Sequence, residues 1–221
     1  MIRPRPRPST PLASASLVLA TLALATLALT ACGSLFQSKA RPPTMYMLSA
    51  MSLPAAGAPG TQIPADLAVL IPRARTGLDT DRIAALYPDR RLDYFADVRW
   101  SGPLDEMVQD LAVQAFHSIG GLRNVSADHS AFSSNYWLEL QVTDFQAEYS
   151  PDGGAPTVHV RLLARIGNSA NRKLLGRFDA DIRLPASDNR MSAIIAAFGS
   201  AADQALAQIV ADAVQTIKPA G

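Results

Sequence analysis

Apolar and polar residues alternate almost without a break between Tyr136 and Leu184. Tyr136, Leu138, Leu140 and Val142 alternate with Trp137, Glu139, Gln141 and Thr143. From Phe145 the apolar phase moves to odd positions, Phe145, Ala147 and Tyr149. One inserted residue reverses the face of every side chain after it, so a bulge or strong twist is expected near Asp144. Pro151-Asp152-Gly153-Gly154 makes a turn. Val158, Val160, Leu162, Ala164 and Ile166 then carry one face of a second strand. After Gly167-Asn168-Ser169, Leu174, Phe178, Ala180, Ile182 and Leu184 carry one face of a third. The three strands read as an antiparallel meander with one buried and one wet face. On the wet face Asp179 and Asp181 alternate with Arg177 and Arg183, a solvated, charge-balanced surface.

Two stretches change period from two to 3.6. Leu104, Met107, Val108, Leu111 and Ala115 form one apolar stripe behind Pro103, with Asp105 and Glu106 in the first turn and Gly120-Gly121 as the stop. Met191, Ile194, Ile195, Phe198, Ala202, Leu206, Ile209, Ala213 and Ile217 form the second stripe, a helix over about 190–217. At 1.5 Å per residue it is roughly 40 Å long, enough to cover a whole sheet face. Shorter strands are expected at Tyr46-Met47-Leu48, at 66–71 ahead of Pro72, and on either side of a Pro88-Asp89 turn, with Ile83-Ala84-Ala85-Leu86 before it and Arg91 to Phe95 after it. The stretch 54–64, rich in Pro and Gly, reads as a loop. One-sided strands with two amphipathic helices predict an α+β two-layer sandwich, an antiparallel or mixed sheet covered by two helices, in one domain over 44–217.

The N-terminus follows a different rule. Arg3, Arg5 and Arg7 precede an uncharged run dense in Leu and Ala from Leu17 to Leu29, which ends in Leu29-Thr30-Ala31-Cys32-Gly33. A basic segment, an apolar segment and small residues make a secretory signal over 1–31. The run is also about long enough for a retained membrane helix, the alternative reading of the same residues. No other apolar stretch is expected to approach that length. Removing 1–31 takes three Arg from the 20 Lys and Arg and leaves 17 against 19 acidic residues, a net charge of about −2. With no basic stripe, nucleic acid is not an expected partner. Cys32 is the single cysteine, so neither a disulfide framework nor a cysteine metal site is available. Residues 32–43, with Pro42-Pro43, read as an extended tether.

Side-chain chemistry is sparse. His117, His129 and His159 have no metal-ligand spacing and read as surface histidines. There is no phosphate-binding glycine loop and no Gly-x-Ser-x-Gly elbow, so no cofactor and no catalytic residue is assigned. The remaining hint is aromatic and cationic. Tyr94, Phe95 and Trp100 fall within seven residues beside Arg90, Arg91 and Arg99, and Trp137 falls on the polar side of its strand. Exposed Trp and Arg are enriched at interface hot spots, whereas the same rings also fill ordinary core gaps.

Leu29-Thr30-Ala31-Cys32 resembles a bacterial lipobox. That resemblance implies a diacylglyceryl group on the Cys32 thiol, cleavage after Ala31 and acylation of the new amine. The ordered series Tyr46-Met47-Leu48, Asp81-Arg82-Ile83, Leu92-Asp93-Tyr94-Phe95, Arg99-Trp100 and the helix from Pro103 resembles the ABC-type transport auxiliary lipoproteins, the group of PqiC-like proteins. The resemblance runs in order over 44–217. It implies a non-enzymatic lipoprotein held to a membrane by its lipid, serving an envelope lipid-transport system. Its expected partners are an MCE-domain protein and an ABC permease–ATPase complex. Gly33, where inner-membrane retention would use Asp, implies the outer membrane facing the periplasm. Tyr94, Phe95, Arg99 and Trp100 are the candidate partner contacts. The competing expectation is a lipid carrier, which needs an apolar chamber, and scattered acids leave a hydrolase formally open.

Overall fold

The long strand Tyr136–Glu148 organises the sheet. A computed structural model describes residues 42–49, 63–119, 121–127 and 133–217. The signal over 1–31, Cys32, most of the tether, most of the 54–64 loop, Gly120 and His129 lie outside these residues. The strands in chain order are β1 (Thr44–Tyr46), β2 (Ile63–Val69), β3 (Arg73–Ala74), β4 (Arg82–Leu86), β5 (Leu92–Trp100), β6 (Leu122–Ala127), β7 (Tyr136–Glu148), β8 (Thr157–Asn168) and β9 (Leu174–Pro185). The helices are α1 (Leu104–Ile119) and α2 (Met191–Ile217).

One edge of β7 pairs antiparallel with β8 along its whole length, and β8 pairs antiparallel with β9. The expected meander is present. Its bulge lies between Val142 and Asp144, so Leu138, Leu140 and Val142 face inward before it and Phe145 and Ala147 after it, all at most 1% exposed. The other edge of β7 is shared by three short parallel strands. β2 meets its start, β3 its middle and β4 its end. β2 carries β6 in parallel, and β4 carries β5 antiparallel, with β1 parallel outside β5. The sheet is therefore mixed, and the molecule is an α+β sandwich as expected.

The differences from the sequence reading have local causes. β6 (Leu-Arg-Asn-Val-Ser-Ala) buries only Leu122 and Val125, three apart, so no two-residue alternation marks it. It is held by its neighbour instead: the carboxylate of Asp66 on β2 accepts bonds from the Arg123 guanidinium and the Asn124 amide, while the Asp66 N–H donates to Asn135. The Arg123 bond, against opposing burial, holds the Asp66 carboxyl below its usual range. β1 starts two residues earlier than expected, and Leu48 lies beyond it, buried. A register shift between Ile166 and Gly167 places Leu174 opposite Gly167. That one-residue slip turns Leu174, expected inward, to 37% exposure.

Both helices contribute to one core. α1 packs on β2, β3 and β6, and α2 on β8, β9 and α1. α2 buries Ile194, Phe198, Ala201, Ala205, Leu206, Ile209 and Ala213, its alanines allowing close approach to the strands. Contrary to expectation, α2 is itself long and apolar enough to cross a membrane. More than half of its most apolar stretch is buried within the protein, so its composition is that of a core helix. At the end of α1, Gly121 takes a φ of 60°, the left-handed value expected of a helix stop.

Candidate functional site

The β4–β5 hairpin carries the residues singled out in the sequence, and it separates them. Trp100, the last residue of β5, is 1% exposed. Its ring meets Phe145 edge-on at 5.9 Å and Phe198 edge-on at 5.2 Å, and those two rings stack at 5.2 Å. Trp100 is thus the centre of the aromatic core and not a surface contact. The reason is position: it closes β5 where the strand's end meets Phe145 of β7 and Phe198 of α2, and indole is large enough to reach both.

Tyr94, Phe95 and Arg99 remain accessible. Tyr94 donates its hydroxyl to the Gly77 carbonyl at 2.9 Å, and the Arg82 guanidinium lies 3.9 Å from its ring centroid. Gly77 has a φ of 89°, and a side chain there would press on Leu92. Arg99 forms a 2.7 Å ion pair with Asp81. Phe95 tilts against Tyr149, which stacks on Tyr87 at 5.3 Å, with Arg91 over the Tyr87 ring. Burial, with a smaller effect from Tyr87, pushes the Tyr149 phenol up. Pro43, Arg82, Phe95, Asp97 and Arg99 line a shallow hollow of about 160 Å³. Met45 and Met47, 56% and 74% exposed, sit on and just beyond the edge strand β1. The surface is therefore an aromatic and cationic patch at the point where the chain enters the sheet. Tyr87, Tyr149 and Met45 were not legible as members because they come from separate strands.

The outer sheet face holds a second constellation. His159, expected at the surface, is 4% exposed. Its Nδ1 lies 2.8 Å from Glu148 and its Nε2 2.8 Å from Asp181, with Asp144 at 3.9 Å. The strand position is outward, as the alternation requires, but carboxylates and arginines of the flanking strands fold over the ring. Burial pushes the Glu148 carboxyl up, yet bonds from His159, Gln146 and Arg183 outweigh it and hold it below its usual value. Arg161 grips Asp179 through two bonds and holds that carboxyl down. Among the described residues no cluster of histidines and carboxylates has metal-binding geometry. This network ties β7, β8 and β9 together.

Comparison with known proteins follows the fold. Protein XCC0632 from Xanthomonas campestris, of the DUF330 family, superposes with a TM-score of 0.69 at 24% identity, covering 78% of this chain and 96% of its own. A second solved structure, of an uncharacterized protein, gives 0.59 at 17% identity, covering 80% and 100%. These likenesses bear on the fold alone. None of the curated proteins matches the sequence. The profile of the ABC-type transport auxiliary lipoprotein component family matches residues 46–210, from β1 into the last third of α2. The chain belongs to the ABC-type transport auxiliary lipoprotein family.

Proposed function

We propose that this protein is the membrane-anchored, non-catalytic docking subunit of an ABC and MCE-type intermembrane lipid transport system. The family match over 46–210 carries the reading. A lipoprotein family implies an anchored cell-envelope protein. Cys32 supplies the acylated anchor, and Gly33 after it favours the outer membrane facing the periplasm. The patch of Tyr94, Phe95 and Arg99, widened by Arg82, Tyr87, Met45 and Met47, meets the MCE-domain partner. Exposed arginine beside half-buried aromatic rings is the composition of binding hot spots. Arg82 and Arg99 are held by a ring and a carboxylate, so they enter the interface already oriented.

Affinity purification of the tagged full-length protein from gently solubilised envelopes tests this. Recovery of an MCE-domain protein or its permease, reduced in Cys32→Ser and in a Phe95→Ala/Arg99→Ala variant, is the expected result. A protein that brings down only bound lipid would reject the docking role and support a carrier.

A further inference from the structure

We propose that the tip of the β8–β9 hairpin is a docking surface for an anionic phospholipid bilayer. The tip is built to hold its shape. Asn168 donates its N–H to the Lys173 carbonyl at 2.9 Å, closing a loop of Ser169 to Arg172. The Asn168 side chain accepts the N–H groups of Ala170 and Asn171, and the Asn171 side chain accepts that of Lys173. Arg172 takes a φ of 56°. Ser169 donates its N–H to Asn135, tying the tip to the start of β7.

This fixed tip combines two features that rarely share a surface without a partner. Arg172, Lys173 and Arg177 are all exposed, and none forms an ion pair or side-chain hydrogen bond among the described residues. The nearby carboxylates are already engaged, Glu139 by Arg165 and Arg73, and Asp179 by Arg161. Three cations within six residues, unpaired among the described residues, attract an anionic surface. Between them stand Leu174 and Leu175, 37% and 38% exposed. Leu174 shares a cross-strand row with Gly167 and Trp137. The Trp137 ring lies against Gly167, so close that a Cβ there would fall 2.2 Å from it. Trp137, Leu70, Arg172, Ser134, Ser169 and Glu139, whose carboxylate is paired with Arg165, border a hollow of about 480 Å³, room for a phosphate headgroup.

A leucine pair flanked by cations, beside an indole, matches the bilayer interface: apolar groups enter the headgroup layer while guanidinium and ammonium groups meet lipid phosphates. Nucleic acid would reward the cations but leave both leucines unused. An anchored lipoprotein is confined to a membrane, so even weak contacts of this kind act at high local concentration.

The test uses the chain from Gly33 onward, which lacks the acyl chain and keeps the compact unit Pro43–Gly221. Co-sedimentation is measured with vesicles of phosphatidylcholine alone, and of phosphatidylglycerol and phosphatidylcholine in a one-to-three ratio. Binding to the anionic vesicles is expected, falling as salt rises. Arg172→Gln/Lys173→Gln/Arg177→Gln should weaken it on the order of a hundredfold, about fivefold for each cation. Leu174→Ser/Leu175→Ser should weaken it at every salt concentration. Lys173→Glu alone, at a position without a side-chain partner, should weaken it by more than fivefold and guards against misfolding of the triple variant. Equal binding to neutral vesicles, or unchanged binding by Lys173→Glu, would overturn the proposal. So would capture of polyglutamate by the same residues with no vesicle binding, which would assign the tip to an acidic protein.

Discussion

Replacing Trp100 by alanine should unfold the protein several degrees earlier without acting on partner binding in its own right. Trp100 is 1% exposed and contacts both Phe145 and Phe198 edge-on. Truncating a fully buried Trp costs about 3–5 kcal/mol, because the transfer energy of the ring and the cavity left behind add. For a domain of this size each kcal/mol moves the melting temperature by about 2–4 °C, so a fall of roughly 6–20 °C is expected. Phe95 is half-buried with one ring neighbour, and Phe95→Ala should cost about half as much. Arg99→Ala loses an exposed ion pair, worth about 0–1 kcal/mol. Circular dichroism melts of the three variants, set beside partner recovery by affinity purification, separate core from surface. A Trp100→Ala protein that keeps its melting temperature within about 3 °C, yet loses its partner, would refute the assignment of this residue to the core.

Gly167→Ala should displace the Trp137 ring, since the new methyl would lie within 2.2 Å of it. A cost of about 1–3 kcal/mol and a red-shifted Trp137 fluorescence, read in a Trp100→Phe background, would register the change. His159→Leu removes the imidazole that bonds both Glu148 and Asp181, and should lower stability by about 1–3 kcal/mol in denaturant melts. Glu148 has a folded-state value below its usual 4.5. Its ionised form therefore contributes stability that is complete above about pH 4.5 and is lost as pH falls through the lower folded value. Thermal melts from about pH 7 to about pH 3 should show a steeper acid loss for the wild type than for Glu148→Gln.

How far the sequence reaches is clearest along β7. A bulge near Asp144 was legible because the apolar phase reverses there, and a phase reversal has one economical cause in a strand with a single buried face. The two helices were equally legible from their 3.6-residue stripes. β6 and β3 were not. β3 is two residues long and β6 has no alternation, and each is a strand only because β7 or β2 offers it an unpaired edge. The candidate site divides the same way. Residues close in sequence, Tyr94, Phe95 and Arg99, were found together. Tyr87, Tyr149 and Met45 join them only through strand pairing, and Trp100 leaves them because the end of β5 sets its ring against Phe145 and Phe198.

By itself, then, the sequence determined periodicities, turns, the family and the expected lipid anchor, since each is written in neighbouring residues. Only the tertiary structure decided which side of the boundary a given side chain occupies. His159 and Leu174 make the point from opposite directions. His159 stands on the outward side of β8 and is buried because Glu148 of β7 and Asp181 and Arg183 of β9 cover it. Leu174 continues the inward series of β9 and is exposed because a register slip against Gly167 turns it out. Burial is a property of what the other strands place nearby, and a one-residue shift in pairing reverses the face that a side chain presents.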